Sequence, residues 1–240
     1  MKKRHFVSII IPAKDEEDTI GQLLDDCNAT IKGMPEKVEI IVVDNNCVDK
    51  TAAIAKKKGA RVVFEKKAGK GHALVAGFAA AKGDVLAMMD ADYSHRPEDL
   101  PAFIKKLDEG YGLVVGSRMT GGSDEYDVVR YIGNHGLTTA YRVLFWQFKT
   151  TDALNGFKVF TRDVFDTFTY HSSNFEIEIE ILSNALKLGY TIGEVSSHER
   201  ERAGGKMKSF APVHGTKFLW KIIQESCKYQ FGRLFRRSYT

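Results

Sequence analysis

Over its first 118 residues the chain alternates short, nearly all-apolar runs with segments whose apolar residues recur at helical spacing, and few folds satisfy that pattern. Residues 6–11 form a β-branched run ended by Pro12, after which Ile20, Leu23, Leu24, Cys27 and Ile31 recur on one helical face. Residues 38–43, 61–64, 85–89 and 113–116 repeat the strand pattern, separated by helix-forming stretches at 52–57, 71–82 and 97–107, the last opening on Pro97. Strands that are apolar on both faces and alternate with helices require a parallel sheet covered on both sides. The expectation is an α/β fold with a mostly parallel central sheet.

The second half is less regular. Helices are expected at 131–148 and 175–188 and strands at 157–160 and 190–195, followed by a charged loop at 198–208 and a terminal helix. With 240 residues, no internal repeat and no linker, one domain is the economical reading. Hydrophobic residues at 43% and charged residues at 28% place the chain outside the disordered and multi-span membrane classes. Cys27, Cys47 and Cys227 lie far apart with no CxxC pair, which argues against a disulfide framework or structural zinc and suits a reducing cytosol. No window approaches the roughly 20 apolar residues of a spanning helix. Met1-Lys2-Lys3-Arg4 runs straight into the first strand, so no leader peptide is expected.

In an open parallel sheet, ligands bind beyond the carboxyl ends of the strands. Three such ends carry acidic residues: Pro12-Ala13-Lys14-Asp15-Glu16, Asp44-Asn45-Asn46 and Asp90-Ala91-Asp92. Two carboxylates at i and i+2 after a buried strand can both reach one hard cation, Mg2+ or Mn2+, shared with substrate phosphates. The same pair serves equally well as turn residues or helix caps. Gly69-Lys70-Gly71-His72-Ala73-Leu74 begins like a dinucleotide fingerprint, but Leu74 stands where the third glycine belongs and the first strand lacks the glycine turn. There is no GxxxxGK[ST], and both facts argue against a dehydrogenase or a P-loop NTPase. A flexible loop ahead of a helix is one of two even readings of Gly69 to Gly71, a ligand-binding loop being the other.

Taken in order, these segments resemble family 2 glycosyltransferases of the GT-A fold, most closely the polyprenyl-phosphate sugar synthases typified by dolichyl-phosphate mannose synthase. Residues 12–16 are similar to that family's Pro-x-x-Asn-Glu opening, with Asp15 in place of asparagine. Val42-Val43-Asp44-Asn45-Asn46-Cys47-Val48-Asp49-Lys50-Thr51 is similar to its VVD-[DN]-x-S-x-D-x-T segment. Gly69-Lys70-Gly71-His72-Ala73, Met89-Asp90-Ala91-Asp92-Tyr93-Ser94-His95, Gly116-Ser117-Arg118, Asp152-Ala153-Leu154-Asn155-Gly156-Phe157, Phe175-Glu176-Ile177-Glu178 and the segment 190–195 follow in the family's order. The resemblance spans about residues 7 to 218.

The resemblance implies a nucleotide-sugar-binding half at about 5–118, an acceptor half with a lid loop at about 119–213, and a basic amphipathic helix at 214–240. It implies that Pro12, Ala13 and Glu16 hold base and ribose, with Asp44 on the base, and that Asp90, Ala91 and Asp92 hold the metal and diphosphate. Arg118 and Arg130 match positions facing the acceptor phosphate and the sugar. Arg200 and Lys206 match a pair that closes over the donor phosphates, although a solvated charge run is the bland account of that loop. The reaction implied is metal-dependent, inverting transfer of a hexose from GDP-mannose or a UDP-glucose-type donor to dolichyl or polyprenyl phosphate. An alcohol acceptor would need a carboxylate base, for which Asp152 is the matched candidate; a cap, or a partner for Arg118 or Arg130, is the alternative role for Asp152. A hydroxyl-accepting relative and a non-catalytic sugar-nucleotide-binding subunit of a membrane complex are the competing functions. Asn45-Asn46-Cys47 and Asp15 depart from the mannose-synthase pattern and leave the nucleotide open.

Residues 200–240 carry ten basic and two acidic residues, a net charge of +8, against −4 for the remaining 199. Leu219, Ile222, Ile223, Cys227, Phe231 and Leu234 fall on one helical face, with Lys217, Lys221 and Lys228 on the other. That stripe packs on the sheet domain or meets an anionic membrane surface. The expected setting is cytoplasmic and peripheral at the cytoplasmic face of a membrane, through lipid or a membrane-protein partner. No nucleic-acid-binding motif accompanies the basic tail.

Overall fold

The structure, a computed structural model, describes residues 4–124, 128–146, 148–203 and 211–237, with backbone alone at 211–214 and 233–237. Strands β1 (Phe6–Ala13), β2 (Lys37–Asp44), β3 (Arg61–Phe64), β4 (Val85–Met88), β5 (Leu113–Ser117), β6 (Lys158–Thr161) and β7 (Ile192–Ser196) form one seven-stranded sheet in the order β3-β2-β1-β4-β6-β5-β7. Helices α1 (Ile20–Lys32), α2 (Thr51–Lys57) and α3 (Lys70–Ala80) connect the first four strands, and a 3-10 turn at Pro97–Asp99 leads into α4 (Leu100–Leu107). The second half supplies α5 (Arg118–Gly121), α6 (Val128–Leu144), α7 (Arg162–Asp166), α8 (Ile177–Lys187) and α9 (Ala211–Arg237).

Side-chain alternation along the strands divides the core in two. Val7, Ile9, Ile11, Val42, Ala87, Val114 and Val159 point to the side covered by α1, α2 and α4. Ile10, Ile41, Val43, Leu86, Met88, Val115 and Phe160 point to the other side, under α3, α6, α8 and α9. Each such side chain withdrawn from water contributes about 1.5–3 kcal/mol before the entropy of ordering is charged against it. The helical and strand segments expected from the sequence are present, and the sheet is parallel except at β6, which runs antiparallel to both β4 and β5.

The terminal helix divides its apolar residues differently from the single stripe expected. Ile222 and Tyr229 are buried, whereas Leu219, Ile223 and Phe231 are exposed. Among the described residues, no helix is long and apolar enough to cross a membrane.

Candidate active site

Parallel pairing places the carboxyl ends of β1, β2 and β4 side by side, with Ala13 opposite Asp44 in register. Pro12 and Ala13 are the last residues of β1 and Asp44 the last of β2. The loops that follow are tied together. The Glu16 N–H donates to Thr51 Oγ1 (2.8 Å), the Asn45 N–H to the Ala13 carbonyl (3.0 Å), and Thr19 Oγ1 to the Ala91 carbonyl (2.8 Å). Asp44 Oδ1 accepts from the Cys47 N–H, three residues on, at 2.8 Å, a side-chain-to-backbone bond that closes the β2 loop.

Among the described residues three non-glycine residues have left-handed backbones, and each lies in one of these loops: Asp15 (φ 52°), Asn46 (φ 64°) and Tyr93 (φ 68°). Asp and Asn tolerate that region; a tyrosine there costs about 1–2 kcal/mol and needs surrounding structure to hold it. Asp26 of α1 supplies that hold, accepting from Tyr93 Oη at 2.8 Å, while the Arg200 guanidinium lies 4.6 Å from the Tyr93 ring centre.

Asp90 and Asp92 each meet one cation. Lys70, the first residue of α3, reaches Asp90 Oδ1 at 2.5 Å and Oε1 of Glu178, in the first turn of α8, at 2.8 Å. Burial works against the charges of Lys70 and Asp90, but their mutual attraction wins, holding the lysine above its ordinary range and the carboxyl well below its own. Lys158, wholly buried on β6, lies 3.7 Å from Glu178 Oε2; burial is the larger influence and lowers its pKa. Asp92 accepts from the Ser94 N–H (3.1 Å) and Ser94 Oγ (2.6 Å), and its Oδ2 faces Arg202 Nε at 3.2 Å. His95 is a positioning residue: its Nδ1 accepts the Asp90 N–H at 3.0 Å, which puts the proton of a neutral ring on Nε2.

The donor set suits a hard divalent cation, since both side chains offer carboxylate oxygens. Space is kept for them: a Cβ on Gly156 would fall 2.7 Å from Asp90 Oδ2 and 2.9 Å from His95 Cε1. Among the described residues the one three-ligand cluster lies elsewhere, at Asp15, Cys47 and Asp49. Its oxygens are engaged by the Val48, Thr51 and Glu17 amides, so it fastens the β1 and β2 loops together.

Asp152 accepts from Arg118 Nε (2.6 Å) and Nη2 (2.9 Å), and is buried. Burial raises its pKa, but the guanidinium outweighs that and the net shift is downward. Arg130 lies in the first turn of α6. Arg200 is bound to Asp26 at 3.1 Å and Glu98 at 2.6 Å, and Arg202 is the loop guanidinium facing Asp92. Lys206 lies outside the described residues.

The flexible-loop reading of Gly69 to Gly71 is corrected: the segment is a packed helix start. Gly69 has φ 127°, and a Cβ there or on Gly71 would come within 2.2 Å of the 172–173 backbone, whose Ser173 carbonyl accepts the Gly71 N–H at 2.9 Å. Lys70 and Glu178 lie in motifs matched from the sequence, but neither they nor Lys158 and Arg202 are assigned a role by it. Glu178 and Glu180 lie in a helix buried on every side, which demands buried cationic partners, but that burial is visible only in the structure.

The profile of the family described as Glycosyl transferase family 2 matches residues 8–169. A dolichyl-phosphate hexose transferase of Haloferax volcanii is 30% identical over 92% of this chain and 93% of its own length. A dolichol-phosphate mannosyltransferase of Pyrococcus furiosus is 28% identical over 91% of this chain and 64% of its own. A crystal structure of glucosyl-3-phosphoglycerate synthase from Mycobacterium tuberculosis, in complex with Mn2+, UDP and glucosyl-3-phosphoglycerate, superposes with a TM-score of 0.73 over 92% of this chain and 80% of that one. At 23% identity that likeness is one of fold.

Proposed function

This chain belongs to glycosyl transferase family 2, and from that premise we propose that it moves one hexose from a GDP- or UDP-linked donor to polyprenyl or dolichyl phosphate, inverting the anomeric carbon. The observation that carries the choice of acceptor is Asp152, which spends both carboxylate oxygens on Arg118. A carboxylate held charged by a guanidinium is a weak base, so a hydroxyl acceptor would find little activation there. A lipid monophosphate is already an anionic nucleophile near neutral pH and needs none. The names of the Haloferax and Pyrococcus relatives point the same way.

In this reading residues 5–118 hold the donor and residues 119–213 the acceptor. Pro12, Ala13, Glu16 and Asp44 line the base and ribose. Asp90 and Asp92 would hold Mg2+ or Mn2+, which when bound neutralises charge building on the leaving diphosphate. Arg118 and Arg130 face the acceptor phosphate and the sugar. Arg200 roots the loop after β7 on Asp26 and Glu98, from where Arg202 and Lys206 bring positive charge to the diphosphate. Transfer takes place at the cytoplasmic face of a membrane, on which the protein docks peripherally.

The test is Asp92→Ala, assayed with each donor and a polyprenyl phosphate. Turnover is lost while the circular dichroism spectrum and melting temperature are kept, because Asp92 contacts only loop residues among the partners described. Normal turnover in that variant, or turnover on 3-phosphoglycerate and not on lipid phosphate, overturns the reading.

A further inference from the structure

Twelve large hydrophobic side chains are exposed among the described residues, and ten of them lie on α9 or on α6 and the two residues after it. On α6, Val128, Ile132, Val143 and Trp146 recur at four-, eleven- and three-residue steps, which places them along one stripe. On α9 the exposed stripe is Leu219, Trp220, Ile223 and Phe231. The helices pack against each other, with Phe145 and Tyr229 ring centres 5.3 Å apart and Ser226 Oγ donating to the Leu144 carbonyl. Both stripes therefore belong to one layer of the molecule.

Within α6 and α9 themselves the charge is mostly of one sign. Residues 128–149 contain Arg130, Arg142 and Lys149 and no acidic residue. Along α9 there are six basic residues and one acid, Glu225, which is 1% exposed and occupied by Lys187, Lys221 and Lys228. Exposed apolar stripes on two helices whose unburied charges are basic are complementary to an anionic bilayer, in which side chains such as Trp146 and Trp220 settle at the headgroup level. A second copy is disfavoured, because a two-fold contact would set this basic face against itself.

We propose that the exposed face of α6 and α9 docks on an anionic lipid bilayer. The surface deepens the functional reading above and rests on it for the acceptor's identity. Vesicle binding is measured without donor or acceptor, so the two can fail separately.

The protein contains two tryptophans, Trp146 and Trp220, 59% and 62% exposed, and both report on this face. Unaltered protein is titrated with vesicles of phosphatidylcholine and phosphatidylglycerol in about a 3:1 ratio, and with phosphatidylcholine alone. The expected result is a blue shift of the emission, quenching by brominated acyl chains, and binding at least about tenfold tighter to the anionic vesicles at low salt. Trp220→Ser combined with Phe231→Ser weakens that binding about tenfold or more. Absence of quenching, or equal binding by a folded double variant, overturns the proposal. So does a blue shift that develops with protein concentration alone together with a dimer mass by light scattering, which would put a second copy on the face. Should the double variant fail to fold, the brominated-lipid result on the unaltered protein decides.

Discussion

Asp152 grips Arg118 at two points, Oδ2 on Nε at 2.6 Å and Oδ1 on Nη2 at 2.9 Å, with its side chain sealed from solvent. Asp152→Asn keeps the shape and removes the counter-charge, leaving a largely buried guanidinium facing a neutral amide. The expected cost is about 3 kcal/mol in urea unfolding. If the variant unfolds at the native midpoint yet loses turnover, Asp152 acts on the substrate and not on Arg118.

Lys70 stands between Asp90 and Glu178, so Lys70→Met removes the cation shared by a buried Glu178 and a partly exposed Asp90. The expected loss is about 3–5 kcal/mol at pH 7. In the native protein the depressed Asp90 pKa contributes stability above the unfolded value, about 3.9, and that contribution disappears as pH falls through the lower folded value. The variant lacks the cation that holds Asp90 charged and so carries less of this contribution, and the difference between the two proteins shrinks as pH is lowered from 7 toward 4. Urea midpoints measured across that range check it; a constant difference would assign Lys70 a packing role.

Two arginines two residues apart are expected to differ. Arg200→Ala removes a partly exposed network with Asp26, Glu98 and Tyr93, for about 1 kcal/mol of stability and little change in kcat. Arg202→Ala leaves stability nearly unchanged and lowers kcat by about tenfold or more, as removal of a charge-stabilising group does. Steady-state kinetics and melting curves on the pair separate the roles.

Glycines separate in the same manner. Gly156→Ala drives a methyl to 2.7 Å from Asp90 Oδ2, and is expected to weaken Mn2+ binding, read by the paramagnetic signal of the free ion, by about tenfold or more. Gly136→Ala, in the interior of α6 with nothing within 4 Å of the added carbon, is expected to raise stability by about 0.5–1 kcal/mol.

The doubly covered sheet and the Asp90–Asp92 pair were legible because both are local: an apolar run flanked by helix-period residues has few ways to be buried, and its carboxyl end is fixed with it. The direction of β6 was not. Residues 158–161, Lys-Val-Phe-Thr, form a short strand whose orientation is decided by the strands it joins, at 85–88 and 113–117. The partners of Lys70 were hidden for a similar reason, since Glu178 lies 108 residues away and its sequence, Ile177-Glu178-Ile179-Glu180, reads as an alternating surface pattern until the helix is seen to be buried all round. Arg200 and Arg202 share a charged loop, and only the placement of Asp26, Glu98 and Asp92 tells them apart.

The antiparallel strand β6 has a consequence for how this chain can be divided. It comes from the second half of the chain, yet it is the strand through which β4 and β5 of the first half are joined. A fragment ending at Ser117 would present two strands with no neighbour between them, exposing apolar edges on both. The two halves therefore share one sheet, and a fragment of the first half must carry residues 157–161 to complete it. The same long-range pairing means that the sheet closes late in folding, after most of the chain has emerged.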